Sequence, residues 1–291
     1  MIIDFLKSKI NITLNQFVMK IKKIIYPLYA YKELLFKIRL KKKDLPTLAS
    51  PGFKIPLVIY QSWNSNVFPN TIGNELKKFR NLNPDIEFNL YNHSEVNDYM
   101  RKFYKHHLIY KIFKKAKYWQ IKADIFRYCI IYERGGFWFD IKSVTKVQLS
   151  KMLKKNSDMM ITYEKNKLPT KIKKKTFNKL LHPNKYIGQW FFGSVKKNYI
   201  LKKIINNICD HYDDYKGKIF ENPKEAVLEF SATRLFTKIL RNELIKKRIS
   251  LKIQQQGIDF NGQGAYMARG GLMLNYRKSH YSFDKFRKII N

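Results

Sequence analysis

Asp124, Arg127 and Asp140 have the types and the spacing to do chemistry together. They fall in residues 117–143, KYWQIKADIFRYCIIYERGGFWFDIKS. At about 100° per residue, Gln120, Asp124 and Arg127 share one narrow helical face, bordered by Ala123, Tyr128, Ile130 and Ile131. Lys122 and Glu133 fall on the opposite side, where they can meet water. Gly135 and Gly136 stop the helix. Phe137-Trp138-Phe139 has the aromatic content of a buried strand, and Asp140 stands where that strand leaves the sheet. Charged groups drawn together in apolar surroundings are costly, so such a cluster points to a site. In open α/β sheets ligands bind in the crevice beyond the strand ends. The plainer alternative is an i,i+3 Asp124–Arg127 pair that only stabilises its helix, with Asp140 capping a turn.

The elements that must position these groups follow a β-α-β-α order. Residues 44–56, with Pro46, Pro51, Gly52 and Pro56, break periodicity and read as a linker. Leu57-Val58-Ile59-Tyr60 reads as a buried parallel strand running into Gln61-Ser62-Trp63-Asn64. A helix over 69–83, an alternating strand over 86–91 and a helix over 92–104 come next. This order predicts an α/β fold with a mostly parallel sheet flanked by helices. Further on, 157–163 and 186–193 read as strands, and 165–185 as a mobile lysine-rich loop near the site. Residues 196–212 and 223–241 read as helices, and 249–260 and 270–275 as late strands. No glycine-rich phosphate-loop fingerprint occurs.

The 291 residues carry 58 Lys+Arg against 22 Asp+Glu, a formal net charge of +36. That excess favours anionic partners: phosphates, nucleic acid or an anionic membrane surface. Much of the lysine accompanies Ile and Asn, a bias that A/T-rich coding also produces. With only Cys129 and Cys209, a disulfide framework and a cysteine-rich zinc site are excluded, and a reducing compartment fits. No run approaches the roughly 20 apolar residues that span a bilayer. Residues 1–48 read as a basic amphipathic helical segment. Ile21, Ile24, Ile25 and Leu28, then Leu34, Leu35, Phe36, Ile38 and Leu40, are set among lysines. Docking on anionic lipid and packing on the core both suit it. Residues 54–291 then make the main domain.

The blocks IPLVIYQSW (55–63), NPDIEFNLYN (83–92) and AKYWQIKADIFRYCIIYERGGFWFDIKS (116–143) resemble, in order and spacing, the glycosyltransferases of family 32, the DXD sugar-binding region group. YIGQWFFGS (186–194) resembles that family's next block. The resemblance implies a GT-A fold, a Rossmann-like α/β sheet that binds a nucleotide-sugar, with UDP donors ahead of GDP-mannose. It implies transfer with retention to an oligosaccharide or glycolipid acceptor, assisted by Mn²⁺ or Mg²⁺. Carried across, Asp124 and Arg127 would orient the donor sugar, and Asp140 would hold metal and ribose. Tyr60, Gln61 and Trp63 would line the base pocket, and Gln120, Lys142 and Gln189 would complete the donor site. His280 resembles a late histidine that helps hold the metal, and Asp259 and Asn261 are weaker candidates. Two positions depart from the pattern. The usual His-Gln is Tyr60-Gln61, and the second acid of DXD is Lys142. A protonated lysine cannot ligate a metal, so either Asp140 holds the ion with help from elsewhere or the Lys142 ammonium partly replaces it. A growing surface glycan, capsule or lipopolysaccharide, would suit a cytoplasmic enzyme on the inner face of the membrane.

The same residues allow a rival. Asp140-Ile141-Lys142 also fits the DxK of metal-dependent nucleases, and +36 would suit DNA. That site needs another acid on a neighbouring strand, whereas Asp124 belongs to a helix. A non-catalytic basic nucleic-acid-binding module is the other alternative. The glycosyltransferase reading is preferred, and nucleic acid is not the expected partner.

Overall fold

The computed structural model describes residues 35–40, 52–168, 180–245, 251–265, 267–269 and 284–291. Six strands build the central sheet: β1 (Val58–Ser62), β2 (Glu87–Tyr91), β3 (Gly136–Phe139), β4 (Met159–Lys167), β5 (Lys185–Ser194) and β6 (Ile253–Ile258). Their spatial order is β6-β4-β5-β3-β1-β2. β5 runs antiparallel to both its neighbours, and every other adjacent pair is parallel. The fold is thus the mixed α/β class expected, with a mostly parallel sheet.

Helices cover both faces: α1 (Asn70–Leu82), α2 (His93–Tyr104), α3 (Leu108–Lys115), α4 (Trp119–Arg134), α5 (Tyr199–Asp210), α6 (Pro223–Phe230) and α7 (Thr233–Ile245). Side chains alternate across β1 and β3 and so feed two cores. Ile59, Phe137 and Phe139 join Ile72, Leu76 and Phe79 of α1 on one side. Tyr60 and Trp138 join α2–α5 and α7 on the other. α4 is buried nearly all round, including its polar Asp124 and Arg127. Gly135, at φ 69°, ends it and donates its N–H to the Ile131 carbonyl. Gly136 follows at φ 100°, and a Cβ there would lie 2.7 Å from the Val58 carbonyl oxygen. Only glycine lets β3 turn back so close against β1.

Residues 284–291 brace the start of α4. Lys117 donates its N–H to the Ile289 carbonyl at 3.0 Å, and Asn291 donates to the Lys115 carbonyl at 3.0 Å. Ile289 and Ile290 are fully buried, and the Tyr118 hydroxyl donates to Asp284 at 2.8 Å.

Several expectations need correction. The helical segment expected over 1–48 does not reach its end: Lys37–Arg39 is a strand pairing antiparallel with Val67–Pro69. Leu40 is buried beside α1, and a Cβ on Gly73 would meet Ile38 Cβ at 2.7 Å, so this strand belongs to the main domain. Edge pairing has overridden a helix-like apolar pattern. Residues 1–34 and 41–48 lie outside the described residues. The loop expected over 165–185 is partly strand, since β4 runs to Lys167 and pairs it with Lys185. The single helix expected over 223–241 is broken at Ser231-Ala232. The late strand over 270–275 lies outside the described residues.

Candidate active site

A cleft of about 840 Å³ opens beyond the C-terminal ends of the parallel strands. That size lies within the roughly 300–1,000 Å³ of small-molecule sites. β1 supplies Ser62 and the residue after it, Trp63; the turn after β3 supplies Asp140 and Lys142; β4 supplies Glu164; Asp259 follows β6. The N-terminal ends of α2 and α4 add His93, Trp119 and Gln120. The antiparallel β5 brings Gln189 and Trp190 into the floor.

At the bottom lies the triad expected from the sequence. Trp138 and Asp140 are two residues apart at the end of β3, so both face α4. Arg127 is wedged between two carboxylates: its Nη2 is 3.1 Å from Asp124 Oδ1 and 3.1 Å from Asp140 Oδ1. Its Nη1 donates to the Gln189 carbonyl at 2.9 Å, and the guanidinium lies 5.0 Å from the centre of the Trp138 ring. Trp138 Nε1 donates to Asp140 Oδ1 at 2.9 Å. The Asp124 carboxylate accepts from Gln189 Nε2 at 3.1 Å and from the Ser231 hydroxyl at 2.8 Å. Burial pushes the Asp124 carboxyl up to about 7, opposed mainly by the Arg127 guanidinium and the Ser231 hydrogen bond. The alternative of a merely helix-stabilising pair does not describe this arrangement, because Arg127 also engages Asp140 just past the end of β3.

The structure brings Asp124, Arg127, Asp140, Trp63, Gln120, Lys142 and Gln189 to one cleft. Gln189 does so from within, its amide also donating to the Tyr128 hydroxyl at 2.5 Å and to the Ser231 carbonyl at 3.1 Å. Tyr60 and Gln61, expected in the base pocket, are not among the residues that line the cleft. Both are buried within β1, Tyr60 6% and Gln61 1% exposed, and it is Ser62 and Trp63 at the strand's end that reach the opening. His280 lies outside the described residues.

Three further groups escaped the sequence reading. Ser231 holds Asp124 from the break between α6 and α7. Its only local signal is Ser231-Ala232-Thr233 inside a helical pattern, residues that favour helix ends over helix interiors. Glu164 lines the cleft and accepts from the Thr233 hydroxyl at 2.9 Å. Burial raises its carboxyl above the usual range, with Asp259 and Asp140 adding to the effect. Lys146 joins Lys142 on the turn after β3. Asp259, a weaker candidate from the sequence, enters the cleft at φ 45°, the first of three consecutive left-handed non-glycine residues, Asp259, Phe260 and Asn261.

A divalent ion fits these residues poorly. Asp140 Oδ1 is already engaged by Arg127 and Trp138, and the next acid position carries an ammonium. Among the described residues no three His, Cys, Asp or Glu side chains converge as metal ligands.

Residues 69–169 match the family described as the glycosyltransferase sugar-binding region containing the DXD motif. Two curated proteins of Schizosaccharomyces pombe align. Inositol phosphoceramide mannosyltransferase 3 is 29% identical over 87 residues, covering 30% of this chain and 24% of that protein. Inositol phosphoceramide mannosyltransferase 1 is 24% identical over 156 residues, covering 53% of this chain and 43% of that protein. The chain therefore spans less than half the length of either relative. Among solved structures, the ligand-free glycosyltransferase domain of the YGT toxin overlays with TM-score 0.49 at 8% identity, covering 76% of this chain and 82% of that one. The PaToxG glycosyltransferase overlays with TM-score 0.46 at 15% identity, covering 66% and 71%. The segment that carries Asp124, Arg127 and Asp140 lies within the residues that match the DXD sugar-binding region of glycosyltransferases.

Proposed function

We propose that this protein is a glycosyltransferase that moves a hexose from a nucleoside-diphosphate sugar to a hydroxyl of a glycan or glycolipid. The observation that carries the reading is Arg127 held between Asp124 and Asp140 at the floor of a strand-end cleft, inside the segment matched by the sugar-binding family. In the reaction the bond from the anomeric carbon to the diphosphate oxygen breaks, and the electron pair leaves with the diphosphate. The acceptor oxygen bonds to the anomeric carbon, and its proton leaves with the nucleoside diphosphate. Asp124 and Asp140 are suited to accept hydrogen bonds from sugar and ribose hydroxyls, and Arg127, within 3.1 Å of each, holds both in place. Trp63 and the stacked His93–Trp119 pair, 3.5 Å between ring centres, offer flat surfaces for a base or a sugar ring.

The family resemblance supports retention of configuration. The two mannosyltransferase relatives favour a mannosyl donor as a second reading beside UDP-sugars. Screening hydrolysis of UDP- and GDP-sugars separates these, and the anomeric proton coupling of the product tests retention. Thermal unfolding tests the whole reading. A nucleotide or nucleotide-sugar at 100 times its Kd stabilises by about 2.7 kcal/mol. A shift with duplex DNA and none with any nucleotide would replace this reading with the nuclease.

The basic segment at residues 1–34 supports a cytoplasmic enzyme docked on anionic lipid and building a surface glycan. No helix among the described residues is long and apolar enough to cross a membrane. A protein lacking residues 1–34 that still pellets with anionic vesicles refutes the docking.

A further inference from the structure

The turn after β3 has the reverse of the charge expected at a metal-binding acid pair. Lys142 and Lys146 line the cleft from that turn, and Lys165 lines it from β4. The turn is fixed on both flanks. The Ala268 N–H donates to the Lys142 carbonyl at 2.7 Å, and the Lys146 N–H donates to the Gln263 carbonyl at 2.7 Å. Between them Val144 and Thr145 pair with Ala265 and Gly264. Lys142 and Lys146 thus line the cleft from a backbone held on both sides. Lys165 is exposed, and its Nζ stands 3.4 Å from Asp259, just past the end of the neighbouring strand β6. The carboxylates deepest in the cleft are spoken for: Asp124 and Asp140 share Arg127, so their charge is largely answered within the protein.

From this arrangement we infer that the diphosphate of the donor is held by the Lys142 ammonium, with Lys146 and Lys165 completing a positive wall, and not by a divalent ion on a second aspartate. The inference rests on the glycosyltransferase reading of the same cleft and names the groups that answer the charge of the leaving diphosphate. Ammonium–phosphate contacts are charge-assisted and need no ordered metal geometry.

Calorimetric titration of the full chain with UDP and with GDP, in EDTA and again in Mn²⁺, tests it. The better-bound nucleotide is expected to keep its Kd within about threefold between the two buffers. Lys142→Gln, which keeps a polar side chain and removes the charge, is expected to weaken binding in EDTA at least tenfold with an unchanged melting temperature. Lys146→Gln should weaken it by a smaller factor. Lys142→Asp, which recreates the second acid, should bind weakly in EDTA and recover at least tenfold in Mn²⁺. Wild-type binding that appears only with Mn²⁺, or Lys142→Gln binding like the wild type in EDTA, overturns the inference and leaves the glycosyltransferase reading standing. Absence of binding by either nucleotide in both buffers overturns the two together.

Discussion

The Ser231 hydroxyl donates to Asp124 Oδ2 at 2.8 Å, joining residues 107 positions apart. The bond places an interruption between two helices in direct service of the buried carboxylate. Ser231→Ala leaves that oxygen without its donor where water is excluded. A cost of about 1–3 kcal/mol is expected, read by denaturant unfolding. A raised donor KM should accompany it, because the carboxylate loses the contact that aims it.

The Asp124 carboxyl, pushed up to about 7 by burial, sets a pH dependence. Donor kcat/KM is expected to climb as pH rises through about 7 and then level, as the ionised form that pairs with Arg127 fills. Stability runs the other way. Folding raises this pKa above its unfolded value of ~3.9, so the contribution is fully present below that value and is lost as pH rises through about 7. Asp124→Asn should flatten both profiles. Melting temperatures and initial rates across this range check it, and an unaltered rate profile in the variant would assign the step to another group.

Asp140 is more exposed than Asp124, and Arg127 has Asp124 as a second partner. Asp140→Asn should therefore unfold close to wild type, because the buried arginine is not left unpaired. Turnover of nucleotide-sugar is expected to fall about 10²-fold or more, the scale of losing one positioned polar group at a reacting centre. Full activity in this variant would remove Asp140 from the machinery.

Gly136→Ala combines a left-handed backbone with a Cβ 2.7 Å from a carbonyl oxygen of β1. Overpacking against backbone costs about 1–3 kcal/mol, and the left-handed conformation adds about 1–2 kcal/mol. The loss should appear as a lower melting temperature together with lower activity, because Trp138 and Asp140 ride on the displaced strand.

How far the site could be read from the sequence depends on what fixed each residue. Asp124, Arg127 and Asp140 were accessible because one helix, one glycine stop and one short strand position them, all local devices. Glu164 and Asp259 were harder. They meet through the pairing of β4 with β6, strands about 90 residues apart, and nothing near either residue marks the encounter. Ser231 was hidden because Pro223 to Arg241 is apolar at helical spacing, while the break within it is fixed by tertiary hydrogen bonds to Tyr128, Gln189 and Asp124. The same cause misplaced residues 37–39: a short apolar segment takes its conformation from the partner it finds, here Val67–Pro69. Tyr60 and Gln61 point to opposite faces of β1, and both are buried because core covers each face of the sheet.

The brace formed by residues 284–291 has a practical meaning. It holds the first turn of the helix that bears Asp124 and Arg127, so those residues are part of the cleft's foundations without facing it. Trimming them by a protease would blunt catalysis while much of the sheet stayed folded. A preparation that looks sound by circular dichroism could then be inert. An insertion among these residues would strain the same strut.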